Sequence, residues 1–92
     1  MIESIKHKGL RKFAETSNTS GIQAHHQKKI RIILSFLQSA DSAEDMAFPG
    51  SELHPLKGTL AGFWSVKVSG NWRIIFRMEN GNAHDVDYID YH

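Results

Sequence analysis

Apolar positions along this 92-residue chain keep one period in the first half and another in the second. Ile2 to Lys6 alternates apolar and polar, the pattern of a short strand. Leu10, Phe13 and Ala14 share one helical face, which predicts a helix over Lys8 to Thr16. Asn18-Thr19-Ser20-Gly21 is turn chemistry and can cap a second helix. Ile22, His26, Ile30, Ile33, Leu34 and Leu37 follow at offsets of 4, 8, 11, 12 and 15, a continuous helical stripe. Ile32 and Phe36 lie off that stripe as an i, i+4 pair, packed elsewhere in the domain or awaiting a partner chain.

Ser39 to Ser51 is a polar connection with room for one helical turn, and beyond it the period becomes two. Trp64, Val66 and Val68 alternate with Ser65 and Lys67, and Trp72, Ile74, Phe76 and Met78 with Arg73, Ile75 and Arg77. Val86 and Tyr88 continue the pattern. Opposed residues of a half-buried sheet must share a face, and this sets an expected register. A loop at Ser69-Gly70-Asn71 pairs Val68 with Trp72, Val66 with Ile74 and Trp64 with Phe76. A three-residue loop at Glu79-Asn80-Gly81, with Gly81 left-handed, pairs Ile74 with Val86 and Trp72 with Tyr88. The commoner two-residue Asn80-Gly81 turn would set Ile74 against Asp87 on the core face and is disfavoured on that ground.

The expected fold class is therefore α+β. An N-terminal strand and two helices pack on a small antiparallel β-sheet, in a single domain over residues 1–92. The uncovered face of the sheet carries Lys67, Arg73, Arg77 and Asp87, with Arg73 opposite Asp87.

Composition narrows the chemistry. With no cysteine, neither disulfides nor a thiolate zinc site is available, which fits a reducing cytoplasm. No run approaches the roughly 20 apolar residues of a membrane span, and the N-terminus lacks a signal-peptide core. Net charge is only +1, but it is unevenly spread. Residues 1–31 carry seven Lys/Arg against two Glu, residues 32–56 carry four acids and no Lys or Arg, and residues 57–92 balance four against four. A basic front half suggests one face for an anion.

Three segments concentrate proton-transfer and phosphate-binding groups. Leu53-His54-Pro55-Leu56-Lys57-Gly58 offers an imidazole that titrates near neutral pH and a cation three residues on. In Gly70-Asn71-Trp72-Arg73, the arginine sits in mid-sheet, where its planar fork suits either a phosphate or a salt bridge to Asp87. Asn71 holds a turn position that asparagine favours on backbone grounds alone. Asp90, Tyr91 and His92 end the chain directly after a strand, so they differ from an ordinary frayed tail. This is a kit for cutting RNA without a metal. A metal site from His54, His84, Asp90 and His92 lacks any short ligand motif, and no G-x-S-x-G elbow or phosphate loop is present.

These segments, in this order, resemble the HigB toxins of the RelE/ParE superfamily. Ile5-Lys6-His7-Lys8-Gly9-Leu10, Trp64-Ser65-Val66 and Asn71-Trp72-Arg73-Ile74-Ile75-Phe76 strengthen the likeness, which runs along nearly the whole chain. The resemblance implies a ribosome-dependent mRNA endoribonuclease that needs no metal or other cofactor. In it, a ribose 2′-oxygen attacks the adjacent phosphorus in the decoding site. It implies His54 and His92 as proton-transfer groups, Asp90 and Tyr91 in the same cluster, and Arg73 on the phosphate. Lys57, Lys67 and Asn71 are then the substrate-binding candidates. The implied partners are the 70S ribosome with its mRNA and a HigA-like helix-turn-helix antitoxin, with DNA reached only through that antitoxin. The alternatives are a toxin of the same superfamily acting on gyrase by protein binding, and a non-catalytic ribosome-binding module.

Overall fold

A computed structural model describes residues 1–91. The first helix, α1, spans Lys8–Thr16, the predicted limits. His7 caps it, its Nδ1 accepting the Leu10 N–H at 3.0 Å, and a left-handed Ser17 ends it. Leu10 and Phe13 are its buried residues. The second helix, α2, spans Gln27–Ser39 and buries Ile30, Ile33, Leu34 and Leu37. It begins later than the apolar stripe implied. Ile22 lies in a turn and His26 in a short 3-10 segment, Ala24–His26, yet both are buried. The stripe reports burial correctly here, although the backbone is not yet α-helical. Gly9 and Gly21 explain why this segment can sit so near α1. A Cβ built on Gly21 would lie 2.5 Å from the Gly9 Cα, so the two backbones pass at a distance only glycine allows.

The polar connection contains one 3-10 turn, Ala43–Met46, closed by a capping box between Ser42 and Asp45. Phe36 stacks on Phe48 of this connection with ring centroids 4.6 Å apart. Of the off-stripe pair, Phe36 therefore packs within the domain, although Ile32 and Phe36 both remain exposed.

Four antiparallel strands follow in sequential order: β1 (His54–Pro55), β2 (Trp64–Ser69), β3 (Trp72–Glu79) and β4 (Asn82–Asp90). The segment Ile2 to Lys6 joins the far edge through two isolated parallel bridges to β4, Ile2 with Ala83 and Ile5 with Val86. One sheet face (Val66, Val68, Ile74, Phe76, Val86, Tyr88) meets the helices in a single core.

The β2–β3 register matches expectation at Trp64–Phe76 and Val66–Ile74, then slips, so that Trp72 faces Ser69 rather than Val68. The β3–β4 register differs more. Asn80 and Gly81 both have positive φ (54° and 78°) and form the two-residue turn that parity seemed to forbid. Parity is restored further on by a bulge at Asp85, which has φ of 52°. Ile74 therefore faces Tyr88 instead of Val86, Trp72 faces Asp90 instead of Tyr88, and Arg73 faces Ile89 instead of Asp87.

Candidate active site

The uncovered sheet face is read most easily as rows across the strands. One row holds His54, Ser65, Ile75 and Asp87; the next holds Lys67, Arg73 and Ile89. The face is less polar than its sequence implied, because Ile75 is buried in its middle. Strand spacing of about 4.8 Å and rise of about 3.4 Å put the His54 and Arg73 Cα atoms roughly 12 Å apart. Two long side chains can reach one nucleotide across such a gap.

The three cations of this face differ in how far they are neutralised. Arg77 bonds Asp85 at 2.9–3.0 Å and Glu79 at 3.1 Å, and these two carboxylates raise its pKa. Lys67 pairs with Glu52 at 3.1 Å. Arg73 makes no ion pair among the described residues. Its Nη1 donates to the Gly70 and Trp72 carbonyls at 2.6 and 3.1 Å. The expected alternative, a bridge to Asp87, fails because the Asp85 bulge moves Ile89 opposite Arg73. Asp87 instead accepts the Tyr88 N–H at 2.9 Å. Two carbonyls orient the Arg73 guanidinium, and no described carboxylate pairs with it.

His54 is exposed on the edge strand, and its Nδ1 lies 3.0 Å from the Glu52 carbonyl oxygen. A carbonyl can only accept, so in the neutral ring this contact places the proton on Nδ1. Nε2 is then the lone-pair nitrogen, the form a general base requires. The carbonyl is aimed by an unusual backbone, since Glu52 has φ of 48°.

At the other end of the sheet, the Tyr91 N–H donates to the Asn71 carbonyl at 2.8 Å, and Asp90 pairs with Trp72. Asn71, Arg73, Asp90 and Tyr91 are thus gathered where the β2–β3 turn meets the end of β4. Asp90 and Tyr91 stay against the sheet, as expected. His92 lies outside the described residues. Lys57 is not brought into this group. It follows β1 in the opposite direction, roughly 17 Å along the sheet from the Arg73 row at about 3.4 Å per residue.

Two features were not visible as functional in the sequence. Glu52 contacts both His54 and Lys67. Behind the site, Trp72 packs on Tyr88 with ring centroids 4.6 Å apart, and His7 and His26 meet the Tyr88 ring edge-on. Burial, with a smaller push from His25, lowers the pKa of His26 below its ordinary value. Burial raises that of Tyr88, and a backbone hydrogen bond from Gln23 partly opposes it. His26 was readable as a core position from its stripe, but its partner is 62 residues away.

Among the described residues, no group of three or more His, Asp or Glu side chains is disposed to hold a metal ion, and no helix is long and apolar enough to cross a membrane. Comparison with known proteins matches residues 3–92 to the model for the RelE-like toxin of type II toxin-antitoxin system HigB. The chain is also similar to the Endoribonuclease HigB of Proteus vulgaris, with 41% identity over 92 residues and the full length of both chains covered.

Proposed function

This chain belongs to the HigB family of RelE-like toxins of type II toxin–antitoxin systems, and from that premise we propose that it cuts messenger RNA in the decoding site of the ribosome. The toxin class and the endoribonuclease activity follow from the family match and the full-length relative. A toxin of this type has an antitoxin partner; the HigA-like helix-turn-helix identity of that partner, and the cytoplasmic setting, are part of the proposal.

The carrying observation is Arg73. A guanidinium at the turn end of the central strand, oriented by carbonyls and unpaired with any described carboxylate, is complementary to an anion. His54 presents Nε2 on the same face, one row and two strands away. In the proposed reaction, His54 Nε2 takes the proton of a ribose 2′-hydroxyl. The 2′-oxygen bonds to the adjacent phosphorus, and the bond from phosphorus to the 5′-oxygen breaks. The departing oxygen takes a proton from the terminal cluster, for which His92 is proposed, with Asp90 and Tyr91 beside it. The products are a 2′,3′-cyclic phosphate and a 5′-hydroxyl, and no metal enters the balance. Arg73 stabilises the charge that grows on the phosphorane oxygens. Lys67 and Asn71 hold the reacting nucleotide, while Lys57, farther along the sheet, contacts a neighbouring part of the message.

Proximity is what so small an enzyme lacks, and a message already held in register on the ribosome supplies it. Primer extension on a defined mRNA paused on ribosomes, beside the same RNA free in solution, tests the reading. Cleavage within the A-site codon on ribosomes alone is the expected result. Equal cleavage of free RNA would remove the ribosome from the proposal.

A further inference from the structure

We infer that Glu52 is a positioning residue for this site, its main chain fixing the His54 ring and its side chain holding Lys67 in reserve until an RNA phosphate displaces it. The inference rests on the site reading above and adds to it a residue that neither the sequence motifs nor the family match assigns.

Three observations meet at this one residue. Its carbonyl oxygen holds His54 Nδ1 at 3.0 Å. Its carboxylate holds Lys67 Nζ at 3.1 Å. Its φ of 48° is a conformation that L residues with side chains seldom adopt. The left-handed residue turns the chain between Ser51, whose carbonyl accepts the Lys67 N–H at 2.7 Å, and the start of β1. The edge segment is therefore tied to β2 on both sides of Glu52. The turn lets one residue present its carbonyl to the histidine and its carboxylate to the lysine.

The two contacts differ in permanence. The backbone contact is part of the fold. The ion pair is exposed, with side chains 37% and 60% accessible, and such pairs are weak and easily exchanged. A phosphodiester is also a monoanion, so it can replace the Glu52 carboxylate on Lys67 with little change in local charge. The consequence is an affinity penalty without a chemical one. Substrate must displace Glu52 to gain Lys67, whereas His54 is equally prepared before and after.

Two variants separate the roles. Glu52→Gly keeps the carbonyl, suits the positive φ and removes the carboxylate; Glu52→Gln removes the charge with the least change of shape. In steady-state cleavage of ribosome-bound message, both should lower KM by about two- to five-fold, the ratio that a typical exposed ion pair represents. Turnover should hold, and nitrogen NMR of the neutral His54 ring should still show the proton on Nδ1. Glu52→Pro, which forces φ negative, should lose that tautomer preference and reduce kcat, with the folded state checked by circular dichroism. An unchanged or raised KM in both Glu52→Gly and Glu52→Gln would overturn the inference. Lys67→Ala and His54→Ala in the same assay show where such a failure lies. If Lys67→Ala raises KM and His54→Ala lowers kcat, the site stands and only the role of Glu52 is wrong. If neither changes, the site reading fails and the inference falls with it.

Discussion

His26 Nδ1 and the Tyr88 hydroxyl lie 2.6 Å apart, in an interior where His26 is 1% and Tyr88 4% exposed. The bond joins the segment before α2 to β4. Trp72, which packs on Tyr88 and meets the His26 ring edge-on, extends the contact to β3 beside Arg73. A buried polar group costs most when only its partner is removed. Tyr88→Phe should therefore destabilise the fold by about 1–3 kcal/mol although it keeps the ring. The double variant His26→Leu/Tyr88→Phe should cost less than the sum of its singles, because no unsatisfied group remains. Urea unfolding of the four proteins measures this, and strict additivity would show the bond to be energetically idle.

The same pair should shape the pH dependence of stability. The folded-state pKa of His26 lies below its ordinary value of 6.5, so below about pH 6.5 the unfolded chain takes a proton that the fold resists. Stability falls as pH drops through that window. The folded-state pKa of Tyr88 lies above its ordinary value of 10.0, so above about pH 10 the unfolded chain loses a proton that the fold retains. Stability falls there as pH rises. The expected profile has a plateau between these limits. Tyr88→Phe should weaken the alkaline limb and His26→Leu the acid limb. Urea midpoints measured from pH 5 to 11 test this, and limbs unchanged in the variants would assign the profile to other groups.

Arg73 should be far more sensitive in catalysis than in folding. Arg73→Ala removes the one cation of the open face that has no described carboxylate partner, and kcat should fall by about 10²–10³-fold. Arg73→Lys should recover little, since an ammonium cannot keep both the carbonyl-held orientation and a forked contact with phosphate. Single-turnover cleavage on ribosome-bound message gives the rates, and thermal unfolding should show both variants folded. A lysine variant near wild-type rate would reduce the role of Arg73 to bulk charge.

The uneven legibility of the fold has a physical source. Local periodicity was enough for α1 and for the Trp64–Phe76 and Val66–Ile74 pairs, because one face of each element is buried. Those signals constrain parity but not absolute register. A three-residue turn and a two-residue turn with a later bulge both keep core residues facing core residues, and only the second occurs. The sequence hint was Asn80-Gly81, a strong signal for a tight hairpin, which parity alone argued against. At the site, His54, Arg73 and the Asp90-Tyr91 tail could be picked out by residue type. Glu52 could not, because its part depends on a backbone angle and on a lysine 15 residues away.

The bulge at Asp85 supplies the last prediction, since it decides which residues of β4 reach the site. Its φ of 52° is strained for most side chains. Its N–H is held by the Ser4 hydroxyl at 2.8 Å, and its carboxylate by Arg77. Asp85→Gly loses a half-exposed ion pair but relieves the backbone, so the two effects should nearly cancel. Asp85→Val loses the same ion pair and adds strain, and should cost about 1–2 kcal/mol more than the glycine variant. Deleting residue 85 removes the bulge itself, with its Arg77 and Ser4 contacts. With the Asn80-Gly81 turn kept, Val86 would then face Phe76 directly, and Asp87, Tyr88, Ile89 and Asp90 would keep their β3 partners and their faces. Urea unfolding should rank wild type and Asp85→Gly together, with Asp85→Val and the deletion below them but still folded. An unfolded deletion would mean that the bulge carries the fold through its contact with Ser4 and does more than adjust the register.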